Sequence, residues 1–170
     1  LIHGLDGDAV ATLLEQAAAL FEVERTAGAD DVRSTFDAAA LREGGRGRFG
    51  LWSADGGAIL TARRESFDGL LPSGGGAVRG LDVVLLAAAL ERLLRIGPEA
   101  VAAGAITYTK SASEAIDAVD RGDASAAFLL EPTPIVSIVA VARDGDVMPQ
   151  KSTYFYPKAL TGLVINPHEW

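Results

Sequence analysis

The segment Asp82–Ile96, DVVLLAAALERLLRI, constrains the fold more than any other part of the chain. Asp82 opens it, and its apolar residues fall on nearly every side of a helical wheel. A helix of that kind has to be buried on most of its faces. Covering it calls for a layered domain with elements on more than one side of it.

The rest of the chain supplies those layers. Leu1–Leu5 reads as the end of a strand, and Asp8 as the cap of a helix running to about Leu20. Phe21–Thr26, FEVERT, alternates apolar and charged residues as a half-buried strand does. Asp30 or Asp31 caps a short helix to about Arg42, which Gly44 and Gly45 end. Arg48–Ser53 and Ala58–Arg63 flank Ala54-Asp55-Gly56-Gly57, a hairpin signal. After the 72–76 loop and the apolar helix come a strand at Ala105–Lys110, a helix at Ser111–Arg121 and a buried strand at Ser125–Leu130. Thr133 and Pro134 then fit the start of a further helix, and Leu163–Ile165 a last short strand. This order predicts an α+β fold, a mixed sheet packed by helices. It is expected to form one domain over residues 1–170, with the glycine-rich stretch at 72–76 as its one candidate sub-boundary.

Composition excludes several classes of function. Apolar residues make up 49% of the chain, enough for a core, so disorder is not expected. The net charge of −8 repels phosphate backbones and anionic membranes, which makes nucleic acid an unlikely partner. With no cysteine, disulfides, thiolate zinc sites and thiol nucleophiles are ruled out. The same absence suits a reducing, cytoplasmic setting. No apolar run reaches the roughly 18 residues that span a bilayer. The chain starts at Leu1 and enters a strand directly, as a C-terminal fragment of a longer protein would.

The densest group of chemically active side chains is Met148–Lys158, MPQKSTYFYPK. Lys151 offers a point charge, and Ser152 and Thr153 offer hydroxyls and backbone N–H groups suited to a phosphate or carboxylate. Tyr154, Phe155 and Tyr156 can stack on a ring, and Lys158 adds a second cation. Pro149 and Pro157 stiffen the two ends. The competing reading is an amphipathic loop whose aromatics pack on the core while its lysines snorkel. Lys110 sits between a strand end and a helix start, where α/β folds hold anions, although Ser111 to Glu114 also reads as a capping box. Pro72–Gly76, PSGGG, is better read as a connection than as a phosphate cradle. The two histidines, His3 and His168, lie at opposite ends of the chain with no metal-ligand spacing, and no metal site is assigned. Glycines and nucleophiles are not spaced as a Walker loop or a serine elbow requires.

The stretch from Ser125 to Ile165 resembles the C-terminal signature of a bacterial and archaeal family, the domain of unknown function 1015. The matching positions are Phe128, Leu129, Pro132, Thr133, Met148, Pro149, Lys151 to Lys158, Gly162 and Leu163. The helix after Asp82 and the segment Ile106–Asp123 are also similar. Glu131 stands where Asn is common in that family. An N-terminal half with an Asp-Gly-His-His-Arg type motif, similar to ParB and sulfiredoxin-like folds, is not part of this sequence. The resemblance implies half of a small-molecule phosphate-handling enzyme, a kinase or phosphatase acting on a serine- or phosphoserine-like metabolite. Lys151, Ser152, Thr153, Tyr154, Tyr156, Lys158 and Lys110 would hold the ligand. The implied partners are a small anionic metabolite and the N-terminal half, and the implied cofactor a nucleotide with magnesium in the intact protein. The alternative is a ligand-binding, regulatory or interaction domain without catalysis.

Overall fold

The computed structural model describes residues 1–39 and 47–153, and the expected strand at Leu163–Ile165 lies outside them. The fold is α+β. Helix α1 (Gly7–Ala17) leads to β1 (Phe21–Thr26), α2 (Ala29–Ala39) and the hairpin β2 (Arg48–Ser53) and β3 (Gly56–Ala62). A 3-10 turn at Arg64–Phe67 is followed by the short α3 (Gly76–Arg79), α4 (Asp82–Leu94) and α5 (Pro98–Ala102). The described chain closes with α6 (Ala112–Asp120), β4 (Ala126–Leu130) and α7 (Ile135–Arg143). The strands form one antiparallel sheet in the order β1-β3-β2-β4.

Alternation along each strand sorts the side chains into two cores. Phe21, Phe49, Leu51, Ala58, Leu60 and Ala126 face one way, against α1 and α4. The Phe21 ring meets Phe49 and Phe67 edge-on, each centroid 5.6 Å away. Ile59, Ala127 and Leu129 face the other way, against Val32 and Phe36 of α2 and Ile116 and Val119 of α6. A third cluster joins Leu81 and Val84 to Val141 of α7. Helix α4 therefore touches the sheet core on one side and α7 on the other, which accounts for its nearly all-round apolar surface.

Several boundaries differ from the sequence expectation. Asp6, not Asp8, caps α1, accepting from the Ala9 N–H at 2.7 Å, and Asp8 lies in the first turn, where its charge favours the helix dipole. Helix α4 stops at Leu94 because Arg95 adopts the left-handed conformation at φ 56°, which turns the buried Ile96 back onto the core. In place of two strands, Leu1–Leu5 and Ala105–Lys110 contribute one-residue bridges, Ile2 with Ile106 and Ile2 with Ala126. Beyond Thr107 the chain is drawn into the cap of α6 instead. The Thr109 hydroxyl donates to the Glu114 carboxylate at 2.6 Å and accepts from the Ser111 N–H at 3.2 Å. Thr133 caps nothing, and Pro134 holds the N-cap position of α7.

Helix α2 lies close on the sheet because two strand positions carry no side chain. A Cβ at Gly50 would come within 2.8 Å of the Phe36 ring and 2.9 Å of Val32, and one at Gly57 within 2.5 Å of the Thr26 hydroxyl. Gly50→Ala is expected to lower the unfolding free energy by roughly 1–3 kcal/mol, the usual cost of overpacking. Gly7→Ala, whose Cβ meets nothing within 4 Å, should stay within about 0.5 kcal/mol of the parent. Urea denaturation checks both, and equal stability of the two variants contradicts the packing argument.

Candidate functional site

Ile2 pairs antiparallel with both Ile106 and Ala126, so Ala105–Thr107 runs parallel to β4, with α6 as the crossover between them. Both segments leave the sheet at the same edge. Lys110 follows the first and Glu131 and Thr133 follow the second, at the carboxyl ends where α/β sheets commonly gather ligands. Lys110 is exposed at the bend before α6.

Two hydrogen bonds close the turn Pro149–Thr153, and a third holds it at this edge. The buried Ser152 donates its hydroxyl to the Pro149 carbonyl at 2.6 Å and its N–H to the same oxygen at 3.4 Å. The Thr133 hydroxyl donates to the Ser152 carbonyl at 2.8 Å. Between these anchors Lys151 is exposed with φ at 59°, one of two non-glycine residues with positive φ among the described residues. A side chain in that region costs roughly 1–2 kcal/mol. Ser152 thus works first as the clasp of the turn, while Lys151 and Thr153 face solvent. Tyr154, Tyr156 and Lys158 lie outside the described residues.

A cavity of about 190 Å³ opens beside Thr133, Pro134 and Ser137, walled across by Gly80, Leu81 and Asp82. No side chain caps α7, whose first turn borders this cavity. Asp82 is buried and accepts the Gly47 N–H at 2.9 Å, fastening the start of α4 to the start of β2.

One ionisable pair at this edge escaped the sequence reading. Glu131 is buried, its side chain only 2% exposed, and its Oε1 lies 3.8 Å from Arg48 Nη1. That separation exceeds a hydrogen bond, and Oε2 accepts no hydrogen bond among the described residues. A carboxylate taken out of water with one distant partner is costly. The sequence marked Glu131 only as a departure from the Asn common in the resembling family, and nothing in it paired the residue with Arg48.

The glycine-rich loop serves a different purpose from a phosphate cradle. The Gly75 N–H donates to Asp146 Oδ2 at 2.7 Å and the Ala77 N–H to Asp144 Oδ2 at 3.4 Å. A Cβ at Gly75 would lie 2.5 Å from the Asp146 carboxylate, so glycine is what permits the approach. The loop is a connection into α3 that Asp144 and Asp146, at the end of α7, pin in place.

At the opposite end of the Leu1–His3 segment a cavity of about 440 Å³ is lined by His3, Leu5, Val10, Asp55, Asp123 and Ser125. His3 is committed there. Its Nδ1 lies 3.0 Å from the Asp123 carbonyl, which only accepts, so Nδ1 carries a proton, and its Nε2 lies 2.7 Å from the Thr107 hydroxyl. Among the described residues no three His, Asp or Glu side chains gather as a metal site requires. None of the described helices is long and apolar enough to cross a membrane. Comparison of the chain with protein-family models, curated proteins and solved structures returns no match.

Lys151→Gly relieves the left-handed strain and is expected to raise the unfolding free energy by about 1 kcal/mol. Thr133→Val removes the bond to Ser152 and should lower it by about 1 kcal/mol. Thermal unfolding reads both, and a destabilised Lys151→Gly variant contradicts the strain assigned to this turn.

Proposed function

We propose that this chain is the anion-holding half of a small-molecule phosphate-handling enzyme, a kinase or phosphatase acting on a serine- or phosphoserine-like metabolite. The observation that carries the reading is Lys151. A cation held in a strained backbone by Ser152 and Thr133, one hydrogen bond from a small cavity at the uncapped start of α7, is an arrangement that folding alone does not call for. Strain of this kind persists only where the surroundings hold it, and it concentrates at functional sites. A helix N-terminus and a lysine both favour a phosphate group, and a cavity of about 190 Å³ is of a size for a small metabolite.

The resemblance to the domain of unknown function 1015 supports the same assignment through the MPQKSTYFYPK motif. On this reading Lys151 and Thr153 contact the anion, and Ser152, whose hydroxyl and N–H donate to the Pro149 carbonyl, fixes the turn that presents them. Tyr154 and Tyr156 shape the pocket, Lys158 neutralises charge, and Lys110 approaches from the same edge of the sheet. A nucleotide with magnesium belongs to the intact protein on this view. Such fixed donors act by positioning the phosphoryl group and by stabilising negative charge as it develops.

A second reading, an interaction domain, is favoured by Ile135 and Val136, which are 74% and 75% exposed on α7 beside the same site. Calorimetric titration of the intact protein with ATP, ADP and phosphoserine separates the readings. The phosphate-handling reading expects binding of at least one of them, with the affinity falling about tenfold or more in Lys151→Ala, the scale of one charge-assisted bond. Unchanged affinity in that variant removes Lys151 from the site, and no binding by the parent leaves the interaction reading.

A further inference from the structure

Helix α7 carries an apolar face that nothing among the described residues covers. Apart from Ser137 and Arg143 every residue of the helix is apolar, yet Val141 alone is buried. Val141 packs on Leu81 and Val84. On the other side Ile135, Val136 and Val139 are exposed, and Val139 lies one turn beyond the first two, so the three form one patch. A helix apolar on most of its sides calls for cover on more than one of them, as α4 receives.

The chain itself runs on from a point beside this patch. Thr153, where the described residues end, follows Ser152, whose carbonyl is held by the Thr133 hydroxyl at 2.8 Å, and Thr133 is two residues before Ile135. Three residues of extended chain reach roughly 10 Å. The three that follow Thr153 are Tyr154, Phe155 and Tyr156, so an aromatic run leaves the turn within reach of the first turn of α7. Neighbouring side chains of an extended segment point to opposite sides. Phe155 is the one of the three with no polar atom, and the anion-holding reading gives it no task.

We infer that Phe155 docks on the patch formed by Ile135, Val136 and Val139, and so acts as a positioning residue for the Lys151 turn. The occupant of this face is the chain's own continuation and not an outside partner. An aromatic ring against aliphatic side chains buries apolar surface on both and leaves no polar group to desolvate. Two fastenings then bracket Thr153: the bond from Thr133 to the Ser152 carbonyl before it and the Phe155 ring after it. They lay Thr153 and Tyr154 along the start of α7, beside the cavity lined by Pro134 and Ser137. The docking goes beyond the anion-holding reading, because the contact forms with or without a ligand.

Nuclear Overhauser spectra of the intact, ligand-free protein with labelled isoleucine and valine methyls test the contact. Contacts are expected from the Phe155 ring to Ile135 and to at least one of Val136 and Val139. Phe155→Ala should shift those methyl signals and leave Val32 and Ile116 in the second core unmoved. Titration with inorganic phosphate adds a second readout. Phe155→Ala is expected to weaken phosphate binding about fivefold or more, while Phe155→Leu, which keeps an apolar side chain, stays within about twofold of the parent. The contacts are read on the parent, so that result stands even if a variant folds poorly. Ring contacts without phosphate binding uphold the docking and overturn the anion site. Unchanged phosphate affinity in Phe155→Ala overturns the positioning role. No contact between Phe155 and α7 in the parent overturns the docking, as do contacts of the three methyls with another segment or, in a mixed-label sample, with a second copy.

Discussion

The pairing of β2 with its two neighbours is the constraint on which the rest of the structure depends. Strand β2 lies between β3 and β4, with Phe49 and Leu51 turned into one core and Gly50 and Trp52 toward the other. Its register with β4, Phe49 opposite Leu130, sets where β4 ends and therefore where Glu131 falls beside Arg48. A shift by one residue would reverse the faces of every β4 side chain and move Glu131 away from the Arg48 face. The candidate site is in this sense a consequence of sheet register before it is a matter of loop sequence.

Packing on the second face fixes that register from above. Helix α2 approaches the sheet at Gly50 and Gly57, and Trp52 donates its indole N–H to Asp120 at 2.7 Å, at the end of α6. Helix α6 in turn connects the two segments that open toward the candidate site. On the first face, Asp82 ties α4 to Gly47 at the mouth of β2, and α4 carries α7 on its far side. The start of α7 and the Lys151 turn are thus held by elements rooted in both cores.

Patterns of period two and the strongest apolar run were legible in the sequence. Phe21–Thr26 and Arg48–Ser53 form strands over their expected residues, and the helix opened by Asp82 is buried as its composition requires. What sequence could not supply were contacts between distant residues. Thr133 followed by proline looks like a cap because the Ser152 carbonyl that claims its hydroxyl lies 19 residues away. Gly57 looks like part of a turn because the Val32 and Trp52 side chains that exclude a Cβ are invisible to local patterning. At the candidate site, Lys151 and Ser152 were legible as a dense polar run. The left-handed backbone of the one and the clasping role of the other were not, and neither was the unsatisfied carboxylate of Glu131.

The account is most directly tested by locating where a phosphate group binds. Amide nitrogen–proton spectra of the isotopically labelled intact protein, followed as inorganic phosphate is added, report on each backbone N–H separately. The account predicts saturable shifts at Lys151, Ser152, Thr153 and the first turn of α7, with the hairpin at Ala54–Gly57 unmoved. Shifts confined to the cavity around His3 and Asp55, or none at Lys151–Thr153 at saturating phosphate, would contradict it.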